Sequence, residues 1–325
     1  MIVIHTIYTA NQYFQDCFGQ KVYKIAIDAG LTCPNRDGTA GYGGCTFCSA
    51  GGSGEFAQRW DGTPASISAQ LEQGAARLRQ KYKGNAYIAY FQSFTNTYAP
   101  VEILEALYRP VLAHPSIVGL AIATRPDCLP DDVIRLLRDL ALQKPIFLEL
   151  GLQTVHEATA RRIHRGYSLD LFEDTWARLQ GLPFHKIIHV ILGLPGETMQ
   201  DMLDTVDYVV RIRADGIKLA LLHVLKGTPL AADYEAGTLP LLSREAYIDI
   251  AARCLSRIPP SMVVHRITGD GPRSLLLAPL WSTDKGHSKS YFETAIRDHL
   301  MVTIPRVLPE SSAEPSPESE TFRGS

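Results

Sequence analysis

Short apolar segments alternate along this chain with longer segments in which apolar residues recur at helical spacing. The apolar segments contain few polar residues and cover residues 22–27, 86–91, 117–123, 146–152, 187–192 and 217–222. Such near-continuous apolar runs are typical of parallel strands, because helices cover both faces of a parallel sheet. We therefore predict six parallel strands.

Amphipathic helices are predicted between these strands. The first begins near residue 64, and its apolar residues recur at helical spacing: Ile67, Leu71, Ala75 and Leu78. The others are predicted at 100–112, 131–142, after 155, at 199–212 and at 244–256. This alternation predicts an α/β fold with a parallel sheet or barrel. A dinucleotide-binding fold has little support, because no Gly-x-Gly-x-x-Gly loop opens the first helix.

Composition narrows the possible classes of protein. The chain has 325 residues, 46% of them hydrophobic, and a formal net charge of −2. This charge balance lacks the basic excess of a dedicated nucleic-acid binder. No apolar run approaches the ~20 residues that a membrane-spanning helix needs. The N-terminal residues do not have the pattern of a signal peptide, so we expect a cytoplasmic location in which thiols stay reduced.

Three of the six cysteines lie in one glycine-rich window. Eleven residues separate Cys33 from Cys45, and Cys48 completes a Cys-x-x-Cys pair. Four glycines between them allow a tight loop, at positions 38, 41, 43 and 44. Thiolates are soft ligands that select zinc, copper(I) or iron–sulfur clusters. The window therefore predicts a metal centre.

Several alternatives remain open from these residues alone. The three cysteines could be unconnected core residues, although the polar loop between them offers no apolar pattern to bury. A structural zinc site needs four ligands, and only three are local. Cys17 is expected to be a core residue rather than a distant fourth ligand, and Cys128 is expected to be buried.

The window resembles the cluster loop of radical S-adenosylmethionine (radical SAM) enzymes. The resemblance lies in Cys-Pro-Asn-Arg-Asp-Gly-Thr, which begins at Cys33, and in Gly-Gly-Cys-Thr-Phe-Cys, which ends at Cys48. It points to the subgroup around the elongator catalytic subunit and, within it, to the bacterial YhcC-type proteins. The wide first gap departs from the commoner Cys-x3-Cys-x2-Cys form and matches this subgroup.

The resemblance implies a fold and a set of site residues. The fold would be a partial TIM-type (βα)6 barrel, with chemistry at the carboxyl ends of its strands. Cys33, Cys45 and Cys48 would bind a [4Fe-4S] cluster, and Phe47 would pack beside the adenine of SAM. This inference extends along most of the chain, from about residue 13 to about residue 281.

Further motifs extend the resemblance to later strand ends. The Gln-Ser-Phe-Thr segment after the second strand implies SAM contacts by Ser93 and Thr95, although a merely polar strand end fits equally. Glu-Leu-Gly-Leu-Gln after the fourth strand implies that Gln153 and Arg165 meet the ribose and carboxylate of SAM, and a guanidinium suits a carboxylate. His189 is a candidate for a residue that faces the cavity.

The resemblance also implies an activity and its partners. The expected enzyme cleaves SAM reductively and takes a hydrogen atom from a substrate, with electrons from a donor such as flavodoxin or ferredoxin. The substrate is unidentified. RNA, with tRNA as the analogous case, competes as a candidate with a small metabolite and with a protein side chain. A non-enzymatic zinc-binding or cluster-binding module is the alternative from another class.

We predict three regions along the chain. Residues 1–258 would form the radical SAM core barrel with an N-terminal segment packed on it. Residues 259–305 would form a C-terminal cap. Residues 306–325 are rich in proline and glutamate and too poor in apolar residues to order themselves, so we expect a disordered tail.

Overall fold

A seven-stranded parallel sheet forms the centre of the molecule. The computed structural model describes residues 7–52, 57–58, 60–63, 65–269, 271–283, 294, 296 and 298. The strands lie in the order β1-β2-β3-β4-β5-β6-β8, and each pairs in parallel with its neighbour. Their bounds are Tyr23–Ile27 (β1), Tyr87–Phe91 (β2), Ile117–Thr124 (β3), Ile146–Gln153 (β4), Phe184–Leu192 (β5), Gly216–Leu221 (β6) and Val263–Arg266 (β8).

Helices follow these strands in the predicted alternation. Their bounds are Ala10–Phe18 (α1), Ala65–Arg79 (α2), Val101–Ala113 (α3), Asp131–Ala141 (α4), Glu157–Arg162 (α5), Leu169–Arg178 (α6), Met199–Arg211 (α7), Pro229–Glu235 (α8) and Arg244–Arg257 (α9). A small antiparallel pair joins Val224–Leu225 (β7) to Leu276–Ala278 (β9). Within the part of the chain that the structure describes, no helix is long and apolar enough to span a membrane.

The inner strands are largely buried on both faces, as their composition predicted. Every residue of β2 is buried, and the buried face of α4 consists of the four apolar residues of its helical stripe: Val133, Leu136, Leu137 and Leu140. The main apolar core lies between the sheet and its helices. A smaller apolar cluster includes Phe14, Ile88, Phe147 and Ile187. The predicted α/β class and partial barrel are confirmed.

The N-terminal segment covers the amino end of the barrel. The amide of Val264 on β8 donates to the carbonyl of Tyr8 at 2.8 Å, and Thr9 forms a parallel bridge with Val264. Helix α1 then begins at a capping box on Thr9. Phe14 of α1 packs edge-on against Phe147, with ring centroids 5.4 Å apart. This helix therefore closes the end of the barrel opposite the cysteine loop.

Two expectations differ from the structure. Val263–Arg266, which we assigned to the cap, joins the main sheet as its seventh strand, because its apolar residues continue the parallel ladder beside β6. Cys17 is exposed rather than part of the core, since it lies on the outer face of α1. Cys128 is buried, as expected. The division at residue 258 stays a prediction, and the tail at 306–325 lies outside the described residues.

Phe14→Ala tests the role of α1 as the closing element. Phe14 is 5% exposed and fills the space under Phe147. We expect the substitution to lower the free energy of unfolding by about 3 kcal/mol, because a buried aromatic side chain is lost and a cavity remains. Urea denaturation measures the change. Gln15→Ala, at an exposed position of the same helix, is the control, and an equal loss in both variants would contradict this role.

Candidate active site

The carboxyl ends of the barrel strands border a cavity of ≈ 700 Å³. The residues predicted from sequence that line it come from several strands and loops: Cys33, Cys45, Phe47, Cys48, Thr95, Gln153, Arg165 and His189. Ser93 is buried beside this set but does not line the cavity. The fold therefore gathers into one cavity residues that are spread over more than 150 positions of the chain.

Asn35 connects the cysteine loop to the segment after α5. Its side-chain amide donates to the carbonyl of His164 at 2.5 Å and lies 3.6 Å from the sulfur of Cys45. A Cβ on Gly41 or Gly166 would lie 2.4 or 2.8 Å from Oδ1 of Asn35. Only glycine fits at these two positions without moving Asn35, which is 3% exposed. The asparagine is thus enclosed by the loop that it holds.

Two further contacts fix the other half of the loop. The amide of Thr46 donates to the carbonyl of Ile163 at 3.0 Å. The guanidinium of Arg36 donates to the carbonyl of Cys48 at 3.0 Å and to that of Ser49. Gly44, at φ +84°, lies where a Cβ would be 2.9 Å from Nε of Arg36. The Cys-x-x-Cys turn is therefore braced from both sides.

The three thiols are near enough along the chain to share one metal centre. They belong to one loop and line one cavity. A tetrahedral zinc site would hold its sulfurs within roughly 4 Å of one another, since Zn–S bonds are ≈ 2.3 Å. Among the described residues, the metal-capable trio with all donor atoms within 4.8 Å is His156, Asp201 and Asp204, so at least one pair of the three cysteine sulfurs is farther apart than that. The three sulfurs are therefore not arranged as a closed tetrahedral zinc site.

The thiol of Cys45 is poorly solvated in the protein without a metal. Burial raises the pKa of Cys45 to about 12, and the neighbouring Cys48 adds to the shift. A thiolate at this position needs a compensating positive charge. A bound metal centre would supply that charge, so a thiolate-ligated metal suits this position chemically.

The turn after β2 presents the polar residues that sequence motifs singled out. Phe94 adopts φ +60°, an uncommon conformation for a non-glycine residue. The hydroxyl of Ser93 is buried and has no hydrogen-bond partner within the described structure, and Thr95 is 2% exposed. A buried unpaired hydroxyl is costly, so this turn has an unmet hydrogen-bonding group next to the cavity. Contacts from Ser93 and Thr95 to SAM stay predictions.

Gln153 lies at a distortion of the sheet. The register between β4 and β5 shifts between Gly151 and Gln153, and Gln153 adopts φ +67°. A left-handed conformation costs roughly 1–2 kcal/mol for a non-glycine residue. Such strain concentrates at functional sites, where it aims a side chain. Gln153 lines the cavity, and its predicted contact with SAM is consistent with this geometry without being tested by it.

Arg165 is largely committed to contacts within the protein. Its Nη1 donates to the carbonyls of Leu152 and Thr154 at 3.0 and 2.7 Å, its Nε to that of Tyr167, and its Nη2 to Glu157 at 3.0 Å. These bonds use four of the five guanidinium N–H groups. Arg165 therefore fixes the end of β4, and the predicted SAM carboxylate contact falls to its remaining N–H.

Arg125 in the Thr-Arg-Pro-Asp motif has a related structural role. It forms a two-bond pair with Asp127 at 2.9 and 2.6 Å. Its Nη1 donates to the carbonyl of Arg165 at 2.9 Å, and Nη2 reaches that of Gly166 at 3.4 Å. Four consecutive carbonyls, from residue 163 to residue 166, thus receive bonds from the cysteine loop or from Arg125.

Sequence reasoning missed a charged cluster in the barrel interior. Glu149 is fully buried; Oε1 accepts from Lys24 at 2.7 Å, and Oε2 accepts from His189 at 2.9 Å and from Lys218. Lys218 also donates to the hydroxyl of Tyr90 at 3.2 Å. The sequence signal for this cluster was a polar residue inside an apolar strand. Sequence analysis considered it for His189 but not for Glu149 or Lys218.

Burial and partners set the charge state of this cluster. Burial alone would raise the pKa of Glu149, but Lys218, Lys24 and the hydrogen bond from His189 hold it well below its usual range. Burial holds the pKa of Lys218 well below its usual range, against the opposing effect of Glu149. Burial also lowers the pKa of His189 to about 4, with Lys218 acting in the same direction. The histidine is therefore neutral near pH 7.

Comparisons with known proteins agree with the motifs. The profile described as "Radical SAM superfamily" matches residues 33–209, and that of the "Radical_SAM C-terminal domain" matches residues 214–297. YtqA of Bacillus subtilis is 47% identical over 279 residues, which are 86% of this chain and 85% of YtqA. YhcC of Escherichia coli is 39% identical over 285 residues, which are 87% of this chain and 89% of YhcC.

The elongator resemblance is more distant and partial. Elongator complex protein 3 of Schizosaccharomyces pombe is 31% identical over 163 residues, which are 49% of this chain but 29% of that protein. A solved structure of Elp3 from the archaeon Methanocaldococcus infernus has a TM-score of 0.58 at 16% identity, and the match covers 79% of this chain and 58% of that one. This structural likeness concerns the fold.

Asn35→Ala tests the connection between the cysteine loop and the 163–166 segment. We expect unfolding free energy to fall by about 1–3 kcal/mol, because the buried carbonyl of His164 loses its donor. Thermal unfolding of the metal-free protein measures the loss. Asn85→Ala, at an exposed position, is the control. A wild-type melting temperature in Asn35→Ala would contradict the assigned role.

The lowered pKa of His189 predicts that the stability of the fold depends on pH. Its pKa is about 4 in the folded chain and about 6.5 unfolded, so between these values the unfolded state binds more protons. Stability is therefore lost as pH falls from about 6.5 to about 4, by an amount on the order of 3 kcal/mol. His189→Gln should make urea-denaturation free energies less dependent on pH in this window. His114→Gln is the control, and an unchanged slope in His189→Gln would refute the assignment.

Proposed function

Because the chain belongs to the radical SAM superfamily and is an enzyme of that class, we propose that Cys33, Cys45 and Cys48 hold a [4Fe-4S] cluster whose open iron takes SAM. The observation that carries the proposal is that these thiols line one cavity with Phe47, Thr95 and Gln153. When bound, the cluster and SAM would supply a one-electron cleavage of a C–S bond and a 5′-deoxyadenosyl radical that takes hydrogen from the substrate.

The chain's own residues would organise this chemistry. Asn35 and Arg36 hold the cysteine loop in place through backbone carbonyls. Phe47 offers an apolar surface for the adenine, and Gln153 presents its amide from a strained position at the end of β4. The unpartnered hydroxyl of Ser93 and the side chain of Thr95 offer polar contacts beside them. Walls on most sides would exclude water from a reactive intermediate.

The proposal needs a one-electron donor and a compartment in which thiols stay reduced. A flavodoxin or ferredoxin would supply the electron, and a cytoplasmic setting would keep the cysteines available to iron. RNA as substrate remains a prediction from the elongator resemblance. An RNA substrate would need a basic surface, and two of the candidate arginines on α9, Arg253 and Arg257, pair with Asp249 and Asp207. Unchanged nucleoside modification profiles in a deletion strain would exclude the RNA option.

Cys45→Ala tests the cluster and the activity together. After anaerobic reconstitution with iron and sulfide, we expect the variant to lose its cluster absorbance and EPR signal and to form no 5′-deoxyadenosine from SAM under reduction. The reason is that two thiolates cannot replace three ligands of one cluster. Cys17→Ala, at an exposed position on α1, is the matched control and should keep both properties.

Two outcomes would count against the proposal. Full iron content in Cys45→Ala would show that the ligand assignment is wrong. A wild-type protein that carries the cluster but yields no 5′-deoxyadenosine from SAM under reduction would count against catalysis by this site.

A further inference from the structure

The interior of the barrel carries more basic than acidic side chains. Lys24 and Lys218 face the single carboxylate of Glu149, and all three line the cavity that contains the cysteines. Arg266 is exposed to solvent, but it lines the same cavity and is the register partner of Lys218 on the neighbouring strand. The other cavity arginines near this wall have different roles, since Arg125 pairs with Asp127 and Arg165 with Glu157. Basic groups therefore outnumber acidic ones along this wall of the cavity.

Structure alone does not account for this arrangement. Apolar side chains would fill a barrel interior at a lower cost in free energy. The reason is that the free energy needed to desolvate buried charges often exceeds the free energy gained by pairing them. Glu149 is 0% exposed and Lys218 4%, so both pay that cost. Lys24 is 22% exposed at its side chain, and Glu149 is the hydrogen-bond acceptor for its ammonium within the described structure. Its remaining N–H groups are available on the cavity side.

We propose that the barrel interior binds the anionic end of a small acid, a terminal carboxylate or phosphate monoester, beside Lys24, Lys218 and Arg266. This inference deepens the proposed function and rests on it, since the acid would be the substrate of the radical reaction. An added anion pairs with these basic groups and favours the ammonium form of Lys218, which burial alone disfavours.

The position of the charged side chains in the barrel favours a terminal anionic group over an internal phosphodiester. Glu149 lies midway along β4 and Lys24 near the start of β1, below the strand ends that carry the cysteine loop. Helix α1 closes the cavity below them, where Ala10, Asn11 and Phe14 form part of its wall. A nucleotide linked on both sides would need an exit for its chain, whereas the end of a small molecule needs none.

Calorimetry tests the inference, and the negative charge of Glu149 predicts in which direction its removal changes anion affinity. Sodium malonate and inorganic phosphate are titrated by calorimetry, at low salt and with no reductant, into the reconstituted full-length protein, both with saturating SAM and without SAM. We expect one site. Lys24→Gln should weaken anion binding at least about tenfold, because a cation within ion-pair distance is lost. Glu149→Gln should tighten binding by a similar factor, because the competing carboxylate is removed. Lys83→Gln, at an exposed position, should change nothing.

Each outcome decides the inference. Binding of malonate alone assigns a carboxylate, and binding of phosphate alone assigns a phosphate monoester. Absence of binding, weaker binding in Glu149→Gln, or anion binding that SAM abolishes would overturn the inference; the last would show that the anion merely occupies the SAM carboxylate position. A protein that cleaves SAM but binds neither anion would leave the proposed function intact. One that binds anions but never cleaves SAM would refute the proposed function alone.

Discussion

The position of the cysteine loop depends on hydrogen bonds to consecutive carbonyls after α5. Thr46 donates to Ile163 and Asn35 to His164, while Arg125 donates to the next two carbonyls. The loop itself has no regular structure to hold it, and its glycines would otherwise leave it many conformations. Backbone acceptors fixed by Arg165 and the sheet therefore determine where the thiols lie. The fold's fourth strand and its first loop act as one unit.

The same cavity combines two electrostatic environments. At Cys45, burial disfavours the thiolate, so that side chain would gain from a bound cationic metal centre. Lower in the barrel, lysines outnumber carboxylates, and this is where we propose that an anion binds. Apolar strands and helices surround both regions and lower the local dielectric, which strengthens each preference. A cavity that favours a cation at one depth and an anion at another can orient two ligands without large movements of the chain.

Local patterns predicted much of this molecule. The near-continuous apolar runs predicted the six main strands because burial on both faces leaves no other composition stable. The predicted second strand, 86–91, and the observed β2, Tyr87–Phe91, differ by one residue. The seventh strand was not predicted because Val263–Arg266 is short and only two of its four residues are buried, so it lacks the long apolar run of its partner β6. Cys17 was misjudged because residue type alone does not say which face of a helix it occupies.

Spacing along the chain was enough to predict the strand–helix alternation, the cysteine window and the membership in a family of enzymes. The folded arrangement was needed to show that Arg165 mainly braces the protein, that Gln153 has a strained backbone at the end of β4, and that Glu149 meets Lys24 and Lys218. Ion pairs between strands depend on sheet order and register, which no local pattern contains. Residues 125 and 69 positions from Glu149 become its neighbours only when the sheet curls around a common interior.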